Sequence, residues 1–103
     1  MKKEQKEYQT EIFEYIRRRR GGKVHKVGVI YGTVDGRVIK IGWSKCNVKD
    51  GDIFIPAIGI RLAKTRALAE YPPAPLCMKR HLRNFSCRCL RYFKNANKIE
   101  LPV

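Results

Sequence analysis

Cys77, His81, Cys87 and Cys89 stand within 13 residues of one another, and thiolate and imidazole are the usual ligands of zinc. Cys77 and His81 are an i,i+4 pair that one helix face can present together. At about 100° per residue, however, Cys87 points roughly 160° away from Cys89 on the same helix, and a straight helix cannot converge them on one ion. The spacing C-x3-H-x5-C-x-C matches no common finger. A metal would have to use Cys77 and His81 with Cys46 or Cys87, and nothing in the spacing asks for one, so no metal and no cofactor is assigned. Catalysis by other groups has as little support. Four of the nine acids fall within residues 4 to 14, and Asp35 sits in a turn signal. Asp50-Gly51-Asp52 lacks the spacing of a calcium loop, and His25 stands in a basic stretch with no acid to orient it. No phosphate-cradling glycine loop or serine nucleophile motif appears. The expectation is a protein that is not an enzyme.

The residue types present in excess are Lys and Arg, 23 against nine Asp and Glu, for a net charge of +14. Like charges repel in the compact state, so such an imbalance points to a polyanionic partner. Arg80, Arg83, Arg91 and Lys94, continued by Lys98, step along one side of a C-terminal helical pattern, and Lys79 and Arg88 widen it. Arg61, Lys64 and Arg66 do the same on the preceding one. No acid occurs between Lys79 and Lys98, whereas an ordinary solvated face mixes both signs. Arginine forks suit phosphate oxygens. Arg17, Arg18, Arg19 and Arg20 read in part as cations closing a helix, and in part as an accessory basic arm. Bases would need aromatic platforms, for which Tyr31 and Tyr92 are the candidates; Trp43 reads as core. The expected mode is contact with the backbone of DNA or RNA and little sequence readout.

The elements that must position these groups follow from periodicity. Tyr8, Ile12, Tyr15 and Ile16 recur at helical spacing, which predicts a helix over 4–20 closed by Gly21-Gly22, or an appended arm for pairing two chains. VHKVGVIYGTV and RVIKIGW flank Asp35-Gly36, the signal of a two-residue hairpin turn. Asp35 and Gly36 as the turn would oppose Gly32 to Ile39 and Ile30 to Ile41. Ile30, Ile39, Ile41 and Trp43 then share the core face, leaving Tyr31, Thr33, Val38 and Lys40 on a half-exposed one. Lys49–Asp52 should turn, and Ile53-Phe54-Ile55 reads as a short third strand stopped by Pro56. A helix over 58–70 carries Ile58, Leu62, Thr65 and Ala69 on one face. Tyr71-Pro72-Pro73-Ala74-Pro75 is an extended connector. A helix over 76–95 buries Met78, Leu82, Phe85, Cys89 and Phe93, and NKIELPV packs loosely or adds an edge. The order helix, strand, strand, possible strand, helix, helix gives an α+β fold with three helices on one face of a small antiparallel sheet.

At 103 residues and 44% apolar content, the chain reads as one domain with one modest core. No run approaches the ~18 apolar residues of a membrane span, so no membrane association is expected. MKKEQKEYQTE lacks the apolar segment of a secretory signal. The expected compartment is the cytoplasm, where the four cysteines stay reduced. Over residues 29–69, RVIKIGWSKCN, KDGDIF and GIRLAKTRA resemble small accessory proteins encoded by bacteriophages, with a fainter echo at 85–94 in the Phe85, Cys89 and RYFK of FSCRCLRYFK. That resemblance implies a viral or mobile element acting in a microbial cytoplasm, and it carries no functional residues over. In that setting a second function is open: inhibition of a host protein by capping its acidic surface, with charge steering the encounter and a small apolar cluster anchoring it. Nothing in the sequence separates DNA from RNA, or a monomer from an oligomer.

Overall fold

A computed structural model describes residues 11–46, 53–69 and 74–101. Its elements are β1 (Glu11–Arg20), β2 (Lys23–Asp35), β3 (Val38–Lys45), α1 (Pro56–Leu68), a 3-10 turn (Leu76–Met78), α2 (Lys79–Tyr92) and β4 (Lys98–Glu100). The fold is α+β, as the sequence leads one to expect. The sheet has order β1-β2-β3-β4, antiparallel across the first three strands and parallel between β3 and β4.

The expected first helix is instead a strand over its described part; residues 4–10 lie outside the described residues. Ile12 and Ile16 are four apart, a spacing that suits a helical turn and a strand face equally. What decides is the enrichment in Ile, Phe and Tyr and the Gly21-Gly22 pair. Both glycines have positive φ, 59° and 79°, which is the type I′ pattern of a two-residue hairpin turn. They close β1 onto β2, with Arg20 opposite Lys23, and do not cap a helix.

The β2–β3 hairpin forms with its pairing displaced by two residues. Asp35 pairs with Val38, so Gly36 and Arg37 are the turn residues. Gly36 alone has positive φ, 67°, as a type II′ turn requires at its first central position. Ile30 therefore opposes Trp43, and Gly32 opposes Ile41. A shift of two leaves every side chain on its expected face. Ile30, Ile39 and Ile41 are buried together, with Trp43 packed against them.

The two helices cover opposite faces of the sheet, and this corrects the expected one-sided layer. On one face α2 packs Leu82, Phe85 and Cys89, flanked by Met78 and Phe93, onto Ile12, Ile16, Ile30, Ile39 and Ile41. That stripe is the one periodicity gives. On the other face α1 packs Ala63 and Ala67 onto Val29 and Tyr31. Its buried line is Gly59, Ala63 and Ala67, one position away from the expected Ile58, Leu62, Thr65 and Ala69. The reason is Gly42 in β3, where a Cβ would run into the backbone of Ala63 and Ala67. The helix sits so close to the strand that only small residues fit between. Ile53–Ile55 enters the helix without regular structure, and Pro56 takes the first helical position, where a missing N–H costs nothing. The expected turn at Lys49–Asp52 and Tyr71–Pro73 of the connector lie outside the described residues. The tail does add an edge, through β4.

Candidate nucleic-acid interface

The four arginines that the sequence assigns to a helix end stand on β1 of a two-stranded ribbon. Arg17 opposes Lys26, Arg18 opposes His25, Arg19 opposes Val24 and Arg20 opposes Lys23. β3 accompanies β2 only as far as Gly28, which pairs with Lys45, and Cys46 N–H donates to the Val27 carbonyl at 2.8 Å. Beyond that point, among the described residues, β1 and β2 continue without a third strand. At ~3.3 Å per residue the four pairs extend ~13 Å past the three-stranded sheet. Every residue from Arg17 to Lys26 is exposed. Six of these ten are Lys or Arg and none is acidic.

A register shift between Ile16 and Arg17 leaves Val27 as an extra residue on β2, buried in the α2-side core. Such a bulge bends and twists the strand pair, so it sets the direction in which the ribbon leaves the body. At its base, Tyr15 is half-buried with the Lys26 ammonium 4.2 Å from its ring centroid and Phe54 edge-on at 6.1 Å. Arg18, Arg20, His25 and Lys26 form one wall of a groove of about 750 Å³, and Phe54 and Pro56 form the other. The described lining holds four nitrogen-bearing side chains and no carboxylate, an arrangement suited to an anion.

Of the four described acids, Asp35 stands at the opposite end of β2, beside the β2–β3 turn, and the other three are engaged elsewhere. Glu11 accepts a hydrogen bond from the Tyr31 hydroxyl and lies 3.7 Å from Lys64 Nζ. Glu14 Oε1 accepts from Arg88 Nη1 at 2.8 Å, and Glu100 pairs with Lys40 at 3.4 Å. No acid among the described residues is paired with Arg18, Arg19, Arg20 or Lys23.

The remaining candidates divide between two faces. Arg80, Arg83 and Arg91 are exposed on α2 away from its buried stripe, and Lys94 is exposed in the turn that follows the helix. Arg61 and Lys64 are exposed on α1, across the sheet, and do not join them. Arg66 donates from Nη1 to the Trp43 carbonyl at 3.0 Å and lies 4.4 Å over the indole, which ties it to the sheet edge. No family model, no curated protein and no solved structure matches the chain. The functional reading therefore rests on this geometry.

Tyr31 is not a stacking platform. It is buried under α1, and burial together with the Glu11 carboxylate pushes its phenol well above the ordinary value. Tyr92 remains exposed, edge-on to Phe93 at 5.0 Å. Cys77 and Cys87 are exposed and Cys89 is buried, and no three His, Cys, Asp or Glu side chains among the described residues gather as a metal site. No described helix is long and apolar enough to cross a membrane. Sequence reasoning missed Lys23, His25 and Lys26, the second strand of the ribbon. The signal that finds them is Gly-Gly between two basic runs, read as a hairpin turn.

Proposed function

We propose that this protein binds nucleic acid through the phosphate backbone, without catalysis and with little sequence readout. The observation that carries this is the projecting ribbon: six cations, no acid, full exposure and, among the described residues, no acid paired with its outer arginines. The outer face of α2 supplies a second basic surface. Fork-shaped arginine donors match phosphate oxygens in pairs, and each phosphate neutralised releases condensed counterions, so affinity falls steeply with salt. Fluorescence anisotropy of labelled DNA and RNA at several salt concentrations tests the reading. Micromolar or tighter binding with a steep linear fall of log affinity against log salt supports it. Absence of binding at low salt sinks it.

A second reading, capping of an acidic host protein in a microbial cytoplasm, is favoured by one feature. Ile55, Ile58 and Leu62 form an exposed apolar line at the start of α1, beside Arg61 and Lys45. An apolar anchor ringed by cations fits a partner that is acidic around an apolar centre. One protein retained in stoichiometric amount after nuclease treatment, and lost with Ile58→Ser/Leu62→Ser, would replace the first reading by this one.

A further inference from the structure

We infer that the ligand of the ribbon is duplex DNA, entered through its major groove. This rests on the nucleic-acid reading and narrows it to one substrate class. Two strands ~4.8 Å apart with side chains on both faces fit a B-form major groove ~12 Å wide and ~8.5 Å deep, which admits a two-stranded ribbon. Four residue pairs at ~3.3 Å reach the floor of such a groove while the arginines on the way pass the phosphates on its rims. The minor groove is only ~6 Å wide. Ribbons and arms that enter it commonly open the stack with an apolar wedge. The tip here is Gly21-Gly22, and Val24 is the single large apolar residue between Arg17 and Lys26.

The other nucleic acids fit worse. The major groove of an A-form RNA duplex is too deep and narrow for side chains to read. Single strands are held by bases stacked on aromatic rings, and the ribbon between Arg17 and Lys26 contains no Phe, Tyr or Trp, with the His25 imidazole its one small ring. Tyr15 at its base is covered by Lys26 and flanked by Phe13 and Phe54. The glycine turn is also a consequence for recognition: with no side chain at the tip, the leading edge meets the groove floor as backbone, and the ribbon carries shape and charge in place of a base code.

The test uses the full chain and four labelled probes of equal length: a DNA duplex, the RNA duplex of the same sequence, a DNA single strand, and the DNA duplex with bulky groups on pyrimidine C5, which project into the major groove. The expected result is DNA-duplex affinity roughly tenfold above the RNA duplex and the single strand, with a loss of similar size on filling the major groove. Arg18→Ala/Arg20→Ala should lose both the preference and the sensitivity to the C5 groups, while Arg83→Ala/Arg91→Ala keeps both. Circular dichroism of each variant checks that the fold is intact. Equal affinity for DNA and RNA duplexes, or an affinity untouched by the C5 groups, overturns the inference and leaves the backbone-binding reading standing. Absence of salt-dependent binding to all four probes overturns both.

Discussion

A methyl group added at Gly42 would meet the Ala63 carbonyl oxygen and the Ala67 amide nitrogen. These are backbone atoms of a helix and cannot turn aside, so Gly42→Ala has to lift α1 from the sheet. The expected cost is ~1–3 kcal/mol, seen as an earlier denaturant midpoint in the fluorescence of Trp43, the single tryptophan. Gly32 faces the other helix, where an added Cβ would lie 2.8 Å from Cys89 Sγ and 2.9 Å from Phe85 Cε2; side chains can yield where backbone cannot. Cys89 is fully buried, and burial pushes its thiol from 9.0 up to about 12. The neutral thiol is therefore the form the fold holds. The unfolded chain gives up that proton first, so the stability contribution is complete below pH 9 and is lost as pH rises toward 12. The phenol of Tyr31, raised in the same sense, adds to the alkaline loss. Two results are expected. Native protein treated with iodoacetamide at mildly alkaline pH labels Cys77 and Cys87 and spares Cys89. The fall in denaturant midpoint above pH 9 is steeper in the wild type than in Cys89→Ala.

At the scale of elements, the β1–β2 ribbon depends on a turn that only glycine takes easily. Both Gly21 and Gly22 have positive φ, and a β-branched residue there costs ~1–3 kcal/mol. The turn lies outside both buried clusters, so the strained end of the ribbon can open locally while the body stays folded. Gly21→Val/Gly22→Val should therefore weaken duplex affinity several-fold while the unfolding midpoint changes little; an unchanged affinity would mean that an ordered ribbon is not needed for binding. The elements differ in how far the sequence discloses them. The α2 stripe from Met78 to Phe93 is legible because four large apolar residues and Cys89 repeat over four turns and no strand shares that period. The β2–β3 faces are legible because alternation survives a slip of two residues. β1 is misread for the same kind of reason in reverse: Ile12 and Ile16 satisfy both periods, and Gly-Gly after a basic run signals a helix end as well as a hairpin. α1 is misread by one position because its large residues face outward and its small ones inward, an arrangement imposed by Gly42 on a strand far away in sequence.

For the whole molecule, composition supplies the excess of cations, and topology decides which of them stand together. Arg61 and Lys64 look continuous with Arg80, Arg83, Arg91 and Lys94 in sequence, yet the sheet lies between α1 and α2. Arg17 to Arg20 look like an accessory arm, yet pairing with Lys23, His25 and Lys26 makes them half of a projecting ribbon. Nothing in local sequence pattern contains that information, because it arises from which helix covers which face and from where β3 stops. Under the proposed reading, the ribbon holds the phosphate contacts. The most direct test is the salt dependence of duplex DNA affinity for the wild type beside Arg18→Ala/Arg20→Ala and Arg83→Ala/Arg91→Ala. The ribbon variant should lose about 0.9 from the log–log slope for each contact removed, and should lose more affinity than the α2 variant. A ribbon variant with the wild-type slope, beside an α2 variant with a reduced one, would contradict it.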